Sequence, residues 1–184
     1  VSINQDVAPM ITGINPSAGP AGTPVTITGT GFSTTASEIQ IRFGDVPAQV
    51  TSSTLTTIQT VVPAGMVAGP VNVVVTVRGM ASNPFPFTVQ HRITSFTPTT
   101  GPPGTPFIIQ GTGFAPTVGG NTVTFGTAAA TITAATNTEI RGTVPNLAAG
   151  PYPVRVTTNG VTTDVGTFTV ILMPVLANIV PDRG

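Results

Sequence analysis

Several residue types that commonly carry chemistry are absent or rare in this 184-residue chain. It contains no cysteine, no tryptophan and no lysine, and only one tyrosine and one histidine. The absence of cysteine excludes disulfide bonds and thiolate chemistry. The sequence also contains no run of 18 or more apolar residues, so it predicts no membrane-spanning helix and no membrane insertion.

Charged residues are scarce and dispersed, which argues against nucleic-acid and metal binding. Six arginines and six acidic residues give a net charge of zero and a charged fraction of 7%, against roughly 25% in an ordinary soluble domain. Because phosphate binding needs clustered Lys and Arg, no nucleic-acid partner is predicted. No two acidic residues lie within three positions of each other, whereas calcium needs a dense set of oxygen ligands. No metal is predicted, and the one alternative left open is a site of Asp6 or Asp45 with backbone carbonyls between the two halves of the chain.

The sequence predicts neither catalysis nor sugar binding. The only histidine, His91, has no serine and carboxylate partners in a pattern typical of nucleophilic catalysis. The chain is therefore predicted to be no enzyme and to hold no cofactor. Carbohydrate binding is not expected either, because the single tyrosine, Tyr152, falls at an inward position of an alternating segment.

The chain contains an internal repeat. The phrase GTPVTITGTGF, which begins at Gly22, returns as GTPFIIQGTGF at Gly104, an offset of 82 residues. One residue is lost further on, and GPVNVVV at residue 69 meets GPYPVRV at residue 150 with an offset of 81. A third copy begins near Leu176, where LANIVPDRG matches the earlier ITGINPSAG. The sequence therefore holds two whole units and the first strand of a third.

Within each unit the apolar residues recur with a period of 2, which is typical of strands with one buried face. Asn159 and Gly160 form the strongest hairpin signal, and Arg78 and Gly79 are their counterpart in the first unit. No segment has helical periodicity. Two β-sandwiches of about seven short strands each are predicted. The expected strand centres are Ile11, Ile27, Ile41, Ile58, Val73 and Phe87 in the first unit, and Ile93, Ile109, Thr124, Ile140, Val154 and Phe168 in the second.

We interpret the repeated phrase as a folding signal. Pro16 and Pro98 end the first strand of each unit, because proline cannot donate a ladder hydrogen bond. The glycines that follow let the chain cross between sheets. After the second strand, four further glycines are expected to let the chain bend tightly: Gly29, Gly31, Gly111 and Gly113. A phenylalanine then closes the end of the core. The predicted core phenylalanines are Phe32, Phe43, Phe87, Phe114, Phe125 and Phe168.

The order and spacing of these motifs resemble the IPT/TIG family of immunoglobulin-like domains. The first unit carries the resemblance in INPSAGPAGTPVTITGTGF and IRFGDVPA, and the second in FTPTTGPPGTPFIIQGTGF and VTFGTAAA. The resemblance implies the fold but leaves the function open, since such domains occur in receptors, bacterial surface proteins, secreted polysaccharide-acting enzymes and transcription factors. We divide the chain into an N-terminal extension (1–8), a first domain (9–89), a linker (90–92), a second domain (93–170) and a tail with the first strand of an incomplete third repeat (171–184).

The short linker and the low charge lead us to expect a non-catalytic structural role. Linker residues commonly pack at the seam between units, so His91 and Arg92 are candidate seam residues of a semi-rigid rod. Zero net charge offers little repulsion between copies. We expect a spacer, or a subunit of a self-assembling filament or sheath, in an extracellular prokaryotic surface protein, with further copies or neighbouring repeats as partners. The alternative is an accessory, carbohydrate-associated module of a secreted polysaccharide-acting enzyme.

The incomplete third copy supplies a candidate assembly strand. Its apolar residues are Val175, Leu176, Ile179 and Val180. A strand without the rest of its sandwich exposes unpaired backbone groups. It is expected either to pack on the second unit or to add to a sheet of the next molecule, which would build a fibre head to tail. The third alternative is a passive remnant.

Overall fold

The computed structural model describes residues 7–172. This part of the chain forms two units of short β-strands, and its only helical segments are two single-turn 3-10 helices, Ala36–Glu38 and Val118–Gly120. Each unit has two sheets and its own buried apolar core. The predicted all-β fold of two immunoglobulin-like β-sandwiches is confirmed.

The first unit contains two sheets. Its strands are β1 (Met10–Asn15), β2 (Ala18–Gly19), β3 (Pro24–Thr30), β4 (Ile39–Phe43), β5 (Val46–Ala48), β6 (Val50–Ser53), β7 (Thr57–Val61), β8 (Gly69–Val77), β9 (Met80–Ala81) and β10 (Phe85–Val89). One sheet has the order β1-β3-β7-β6, and the other has the order β2-β10-β8-β4-β5 with β9 beside β8. Strand β2 runs parallel to β10, and the other pairs are antiparallel.

The second unit repeats this topology. Its strands are β11 (Arg92–Thr97), β12 (Thr100–Gly101), β13 (Pro106–Thr112), β14 (Asn121–Phe125), β15 (Ala128–Ala129), β16 (Thr131–Ala135), β17 (Glu139–Thr143), β18 (Gly150–Thr158) and β19 (Val161–Val170). The sheet orders are β11-β13-β17-β16 and β12-β19-β18-β14-β15. The long β19 replaces the separate β9 and β10, because Pro84, which cannot donate to a ladder, interrupts the first unit at this point.

The structure confirms the strand and hairpin predictions. In β3, the side chains of Val25 and Ile27 are buried between outward-facing threonines. The turns after β8 and β18 each contain two residues with positive φ, which are 49° and 85° for Arg78 and Gly79 and 47° and 81° for Asn159 and Gly160. Such a pair matches the type I′ hairpin turn. All twelve expected strand centres lie within strands.

Pro16 and Pro98 lie where the chain changes sheets. Strand β1 ends at Asn15 and β11 ends at Thr97, and β2 and β12 lie in the opposite sheets. The crossing continues through Gly22, whose φ is 88° and whose N–H donates to the carbonyl of Val62 at 2.9 Å. The prediction that these prolines end the first strand of each unit is confirmed.

One part of the interpretation of the repeated phrase was wrong. Gly29 and Gly111 were expected to bend the chain, but they lie inside β3 and β13 and have no positive φ. A Cβ at Gly111 would lie 2.2 Å from the carbonyl oxygen of Arg92. These glycines therefore allow close approach of the first strand, and the bend belongs to the following glycines, Gly31 (φ 73°) and Gly113 (φ 92°).

The six predicted core phenylalanines are all buried, with exposed fractions of 0–4%. In the first unit, the rings of Phe43 and Phe87 meet edge to face, with centroids 5.3 Å apart. In the second unit, Phe125 lies 5.4 Å from Phe107 and 5.4 Å from Phe168. Edge-to-face aromatic pairs add to the stabilisation that burial alone provides, so aromatic packing is an important part of both cores.

The two cores fill one equivalent position differently. The facing residues Val25 and Thr60 on β3 and β7 correspond to Phe107 and Gly142 on β13 and β17. A Cβ at Gly142 would lie 2.7 Å from the ring of Phe107. The large ring therefore takes the space that the missing side chain leaves, as close packing requires.

The predicted N-terminal extension lies mostly outside the described residues, and the candidate assembly strand of Val175, Leu176, Ile179 and Val180 lies wholly outside them.

Candidate functional site: the joint between the units

The chain passes from the first unit to the second through Gln90 and His91. The N–H of Gln90 donates to the carbonyl of Gly19 at 3.1 Å, which holds the linker against the unit it leaves. The imidazole of His91 is 5% exposed, and its centroid lies 5.6 Å from that of Phe114. Arg92, the other candidate seam residue, begins β11 and is exposed. The linker is therefore anchored at both ends, and His91 is the residue that enters the second unit.

A buried polar network holds the His91 ring. Thr158 Oγ1 lies 2.9 Å from Nε2, and Thr163 Oγ1 lies 3.1 Å from Nδ1. The hydroxyl of Thr158 also donates to Asn121 Oδ1 at 2.8 Å. Because that donation uses the hydroxyl hydrogen, Thr158 accepts from Nε2–H, and Nδ1 accepts from Thr163. The contacts therefore fit the neutral Nε2–H tautomer of His91.

Asn121 connects this network to the loop that carries Phe114. Its Oδ1 accepts from the N–H of Ala115 at 2.9 Å, and its Nδ2 donates to the carbonyls of Ala115 and Thr117 at 2.8 Å and 3.1 Å. The side chain is buried and uses both of its polar atoms, so its desolvation cost is offset by hydrogen bonds. The loop and the linker are thus held by one satisfied network.

A second set of contacts joins the units directly. The N–H of Ala68 in the first unit donates to the carbonyl of Gly113 in the second at 2.8 Å. The carbonyl of Ala68 accepts from Asn159 Nδ2 at 3.0 Å. Ala68 is fully buried. We call the contacts made by Ala68, His91, Gly113 and Asn159 the joint.

Acidification should weaken the structure through His91. Burial lowers the pKa of His91 below its usual value, so the folded state binds a proton less readily than the unfolded chain does. The free energy of unfolding should be constant above about pH 6.5 and fall below it, with a slope of at most about 1.4 kcal/mol per pH unit. Denaturant titrations at several pH values measure this slope. Because the chain has no other histidine, His91→Gln should flatten it, and an unchanged slope in that variant would contradict the assignment.

Six charged residues of the described chain form three ordinary surface pairs. Arg155 Nε lies 2.7 Å from Asp164 Oδ1, Arg141 pairs with Glu139 at 2.7 Å, and Arg78 Nη2 lies 3.0 Å from Glu38 Oε2. A hydrogen bond from Ser33, and then Arg78, lower the pKa of Glu38. Exposed pairs of this kind contribute little to stability, and their dispersed positions give no basic patch.

Other sequence-based candidates bring no further site together. Asp45 lines a pocket of about 380 Å³ beside the joint, with Gly69 and Asn159 in its wall. Within residues 7–172, no three His, Asp or Glu side chains are grouped as metal ligands would be. The hydroxyl of Tyr152 donates to the carbonyl of Ala148 at 3.2 Å while its ring packs against the core. None of the large apolar side chains that are exposed in this part of the chain is aromatic.

The described residues also contain no helix that is long and apolar enough to cross a membrane. The fold and the joint together define a class of protein: a tandem pair of immunoglobulin-like sandwiches connected by a specific, hydrogen-bonded contact.

The site residues that sequence analysis missed are Ala68, Asn121, Thr158 and Thr163. Asn159 was recognised only as a turn residue, and its second role in the joint had no sequence signal.

The chain belongs to the IPT/TIG domain family, whose model matches residues 9–89 and 92–170. It is 30% identical over 187 aligned residues to Fibrocystin-L of Mus musculus, with 98% of this chain and 4% of that protein covered. It is 48% identical over 67 residues to a cyclomaltodextrin glucanotransferase of Bacillus sp. (strain 6.6.3), with 35% of this chain and 9% of that protein covered. The chain thus spans less than a tenth of the length of either relative.

Among solved structures, the chain is similar to the surface glycan-binding protein PbSGBP-B from Prevotella bryantii. The TM-score is 0.52 at 18% sequence identity, with 86% of this chain and 42% of that chain covered. At this identity the similarity supports the fold and carries no information on ligands.

Proposed function

We propose that this chain is a non-catalytic structural module of an extracellular surface protein and acts as a semi-rigid spacer. The observation that carries the proposal is the joint. A flexible tether would need only a polar linker, whereas here Ala68 and His91 are buried and hydrogen-bonded to the second unit. Relative motion is the default expectation for units within one chain, and the contacts of the joint oppose it.

Three features of the joint restrict different motions. The ring of His91 lies between two threonine hydroxyls, which restrains the linker. The bond from Ala68 to Gly113 fixes the distance between the units at a second point. The bond from Asn159 to Ala68 comes from a tight turn with little conformational freedom. Because these contacts lie at separate points, they together oppose both bending and twisting of one unit relative to the other.

Surface composition supports an extracellular position in this proposal. The chain has no lysine, few charges and 35 threonines. Threonine favours strands and provides polar faces without net charge. Such faces suit an exposed rod with a long lifetime, and threonine-rich faces present no cluster of catalytic side chains.

A second candidate function is an accessory module beside a polysaccharide-acting catalytic domain. The identity of 48% over 67 residues to the cyclomaltodextrin glucanotransferase favours it. NMR titration of maltooligosaccharides into the isotope-labelled chain separates the two proposals. A spacer should show no saturable change in amide shifts, whereas an accessory sugar-binding module should show changes at one surface.

Distance measurement between spin labels tests the spacer proposal. Because the chain has no cysteine, Gln40→Cys on β4 and Thr122→Cys on β14, both exposed, give one label in each unit. We expect a single narrow distance distribution, because the joint fixes the two units. A matched variant with three flexible residues inserted after Gln90 should give a broad one.

The comparison between those two distributions decides the outcome. A native distribution as broad as that of the insertion variant would contradict the spacer proposal. A narrow distribution that broadens on insertion and partly broadens in His91→Ala with Asn159→Ala would support it and would attribute the stiffness to the joint.

A further inference from the structure

The turn between β18 and β19 places an asparagine–glycine pair, Asn159 and Gly160, at the joint. Asparagine is thermolabile, because the main-chain nitrogen of the following residue can attack its side-chain amide carbon. Glycine in second place favours this attack, since it has no Cβ to obstruct the approach. Asn159 is the only asparagine of the sequence that precedes a glycine, and the equivalent turn of the first unit has Arg78 instead.

The other asparagines of the described chain are less favourably placed for this reaction. Asn15 and Asn83 precede proline, whose nitrogen carries no hydrogen. Asn121 is buried, and both polar atoms of its side chain are hydrogen-bonded. The remaining three precede valine, threonine and leucine, whose side chains crowd the attacking nitrogen: Asn72, Asn137 and Asn146.

The amide of Asn159 is accessible both to water and to the nitrogen of Gly160. Asn159 is exposed, and it lies in the wall of the pocket of about 380 Å³ that Asp45 also lines. Nothing lies within 4 Å of an ideal Cβ at Gly160. No acceptor within residues 7–172 binds the N–H of Gly160. The attacking nitrogen is therefore unobstructed, and water reaches the site of hydrolysis.

Two contacts of the closed joint restrain this amide. Nδ2 of Asn159 donates to the carbonyl of Ala68 at 3.0 Å. The side chain also packs on Gly69, where an ideal Cβ would lie 3.0 Å from Cβ of Asn159 and 3.3 Å from Nδ2. Ring closure needs rotation of the Asn159 side chain towards Gly160, which breaks the bond to Ala68. The reaction should therefore proceed from the open joint.

We propose that Asn159 is a deamidation site that reacts when the joint opens and whose product then keeps the joint open. The nitrogen of Gly160 bonds to Cγ of Asn159, the Cγ–Nδ2 bond breaks, and Nδ2 leaves as ammonia with the Gly160 proton. Water then opens the succinimide ring at either carbonyl, which gives aspartate or isoaspartate. The reaction consumes only water. The inference rests on the proposed spacer function, since it concerns the joint that makes the spacer stiff.

The product replaces a hydrogen-bond donor with an acceptor at the contact with Ala68. A carboxylate is ionised near neutral pH and only accepts hydrogen bonds, so it cannot bond to the carbonyl of Ala68. Asp45 lines the same pocket, which places a second negative charge nearby. Isoaspartate also lengthens the main chain by one methylene beside Thr158, whose hydroxyl lies 2.9 Å from Nε2 of His91. Both products therefore weaken the joint.

Peptide mass spectrometry of the full chain during incubation at neutral pH and physiological temperature measures the reaction. Asn159 should convert before any other asparagine, and it should convert more slowly than in a synthetic peptide of residues 155–163. The variant with three flexible residues inserted after Gln90 should react about tenfold or more faster than the native chain, because the rate follows the population of the open state. Asn159→Gln, which keeps an amide but must close a larger ring, should stay unmodified.

Spin-label distances test the consequence for the joint. With labels at Gln40→Cys and Thr122→Cys, the further substitution Asn159→Asp supplies the side chain of one product. It should broaden the distance distribution relative to that of the native chain. Asn146→Asp makes the same change in an exposed loop and should leave the distribution narrow.

Four results would each overturn the inference: faster conversion at another asparagine, equal rates in the native chain and the insertion variant, reaction of the peptide alone, or a narrow Asn159→Asp distribution. In those cases a narrow native distribution would leave the spacer function intact. Conversion in the insertion variant but not in the native chain would support the inference, because it indicates a joint that seldom opens. A native distribution as broad as that of the insertion variant would overturn the spacer function, whether or not Asn159 reacts.

Discussion

Truncation of Phe125 to alanine should destabilise the second unit by about 3–5 kcal/mol. Its side chain is fully buried on β14, and its ring contacts Phe107, Phe168 and Phe96 at centroid distances of 5.4, 5.4 and 6.3 Å. Removal of the ring leaves a cavity that this close aromatic packing cannot easily fill. Denaturant unfolding followed by far-UV circular dichroism measures the loss.

A half-buried phenylalanine provides the control for this experiment. Phe85 on β10 packs at the edge of the first core, so Phe85→Ala should cost clearly less than Phe125→Ala. A loss under about 1 kcal/mol for Phe125→Ala, well below the range for buried phenylalanine, would show that the aromatic cluster does not carry the core of the second unit.

Substitution of Gly111 by alanine should destabilise the second unit by about 3 kcal/mol. The added Cβ would lie 2.2 Å from the carbonyl oxygen of Arg92 on the neighbouring strand β11. Because this obstacle is backbone, no change of rotamer relieves the clash, and β11 must move away from β13. Unfolding measurements on the variant give the free-energy change.

Gly119→Ala is the matched control for Gly111→Ala. Gly119 lies in the single-turn helix before β14, and nothing lies within 4 Å of a Cβ at that position. Its free energy of unfolding should change by no more than about 0.5 kcal/mol. Equal effects of the two substitutions would contradict a specific close approach at Gly111 and would indicate a general loss of glycine flexibility.

The sequence predicts the sandwich fold well because its determinants are local and occur twice. Alternating apolar residues specify the strands, and Asn159 and Gly160 specify a tight turn. Pro16 ends the first strand because its ring nitrogen carries no hydrogen to donate to the ladder. The short edge strands β5 and β15 were not predicted, since two or three residues carry no measurable periodicity. The role of Gly111 was misassigned because a close approach between strands depends on tertiary neighbours.

The joint could be anticipated only in part. The short linker and the position of His91 indicated a packed seam. The partners of His91 come from residues 67 and 72 positions later in the chain, and no local pattern links them. Ala68 has an ordinary small side chain and takes part through its main chain, which sequence does not encode directly. Contacts of this kind depend on how two folded units meet.

Amide hydrogen exchange at Ala68 tests the central claim most directly. Ala68 and Ala149 occupy equivalent loop positions, but only the N–H of Ala68 donates across the joint, to Gly113 at 2.8 Å. In dilute solution the joint should protect Ala68, so its amide should exchange at least about tenfold more slowly than that of Ala149, since exchange requires the joint to open. Equal exchange rates at the two alanines would show that the joint opens freely and would contradict a semi-rigid pair of units.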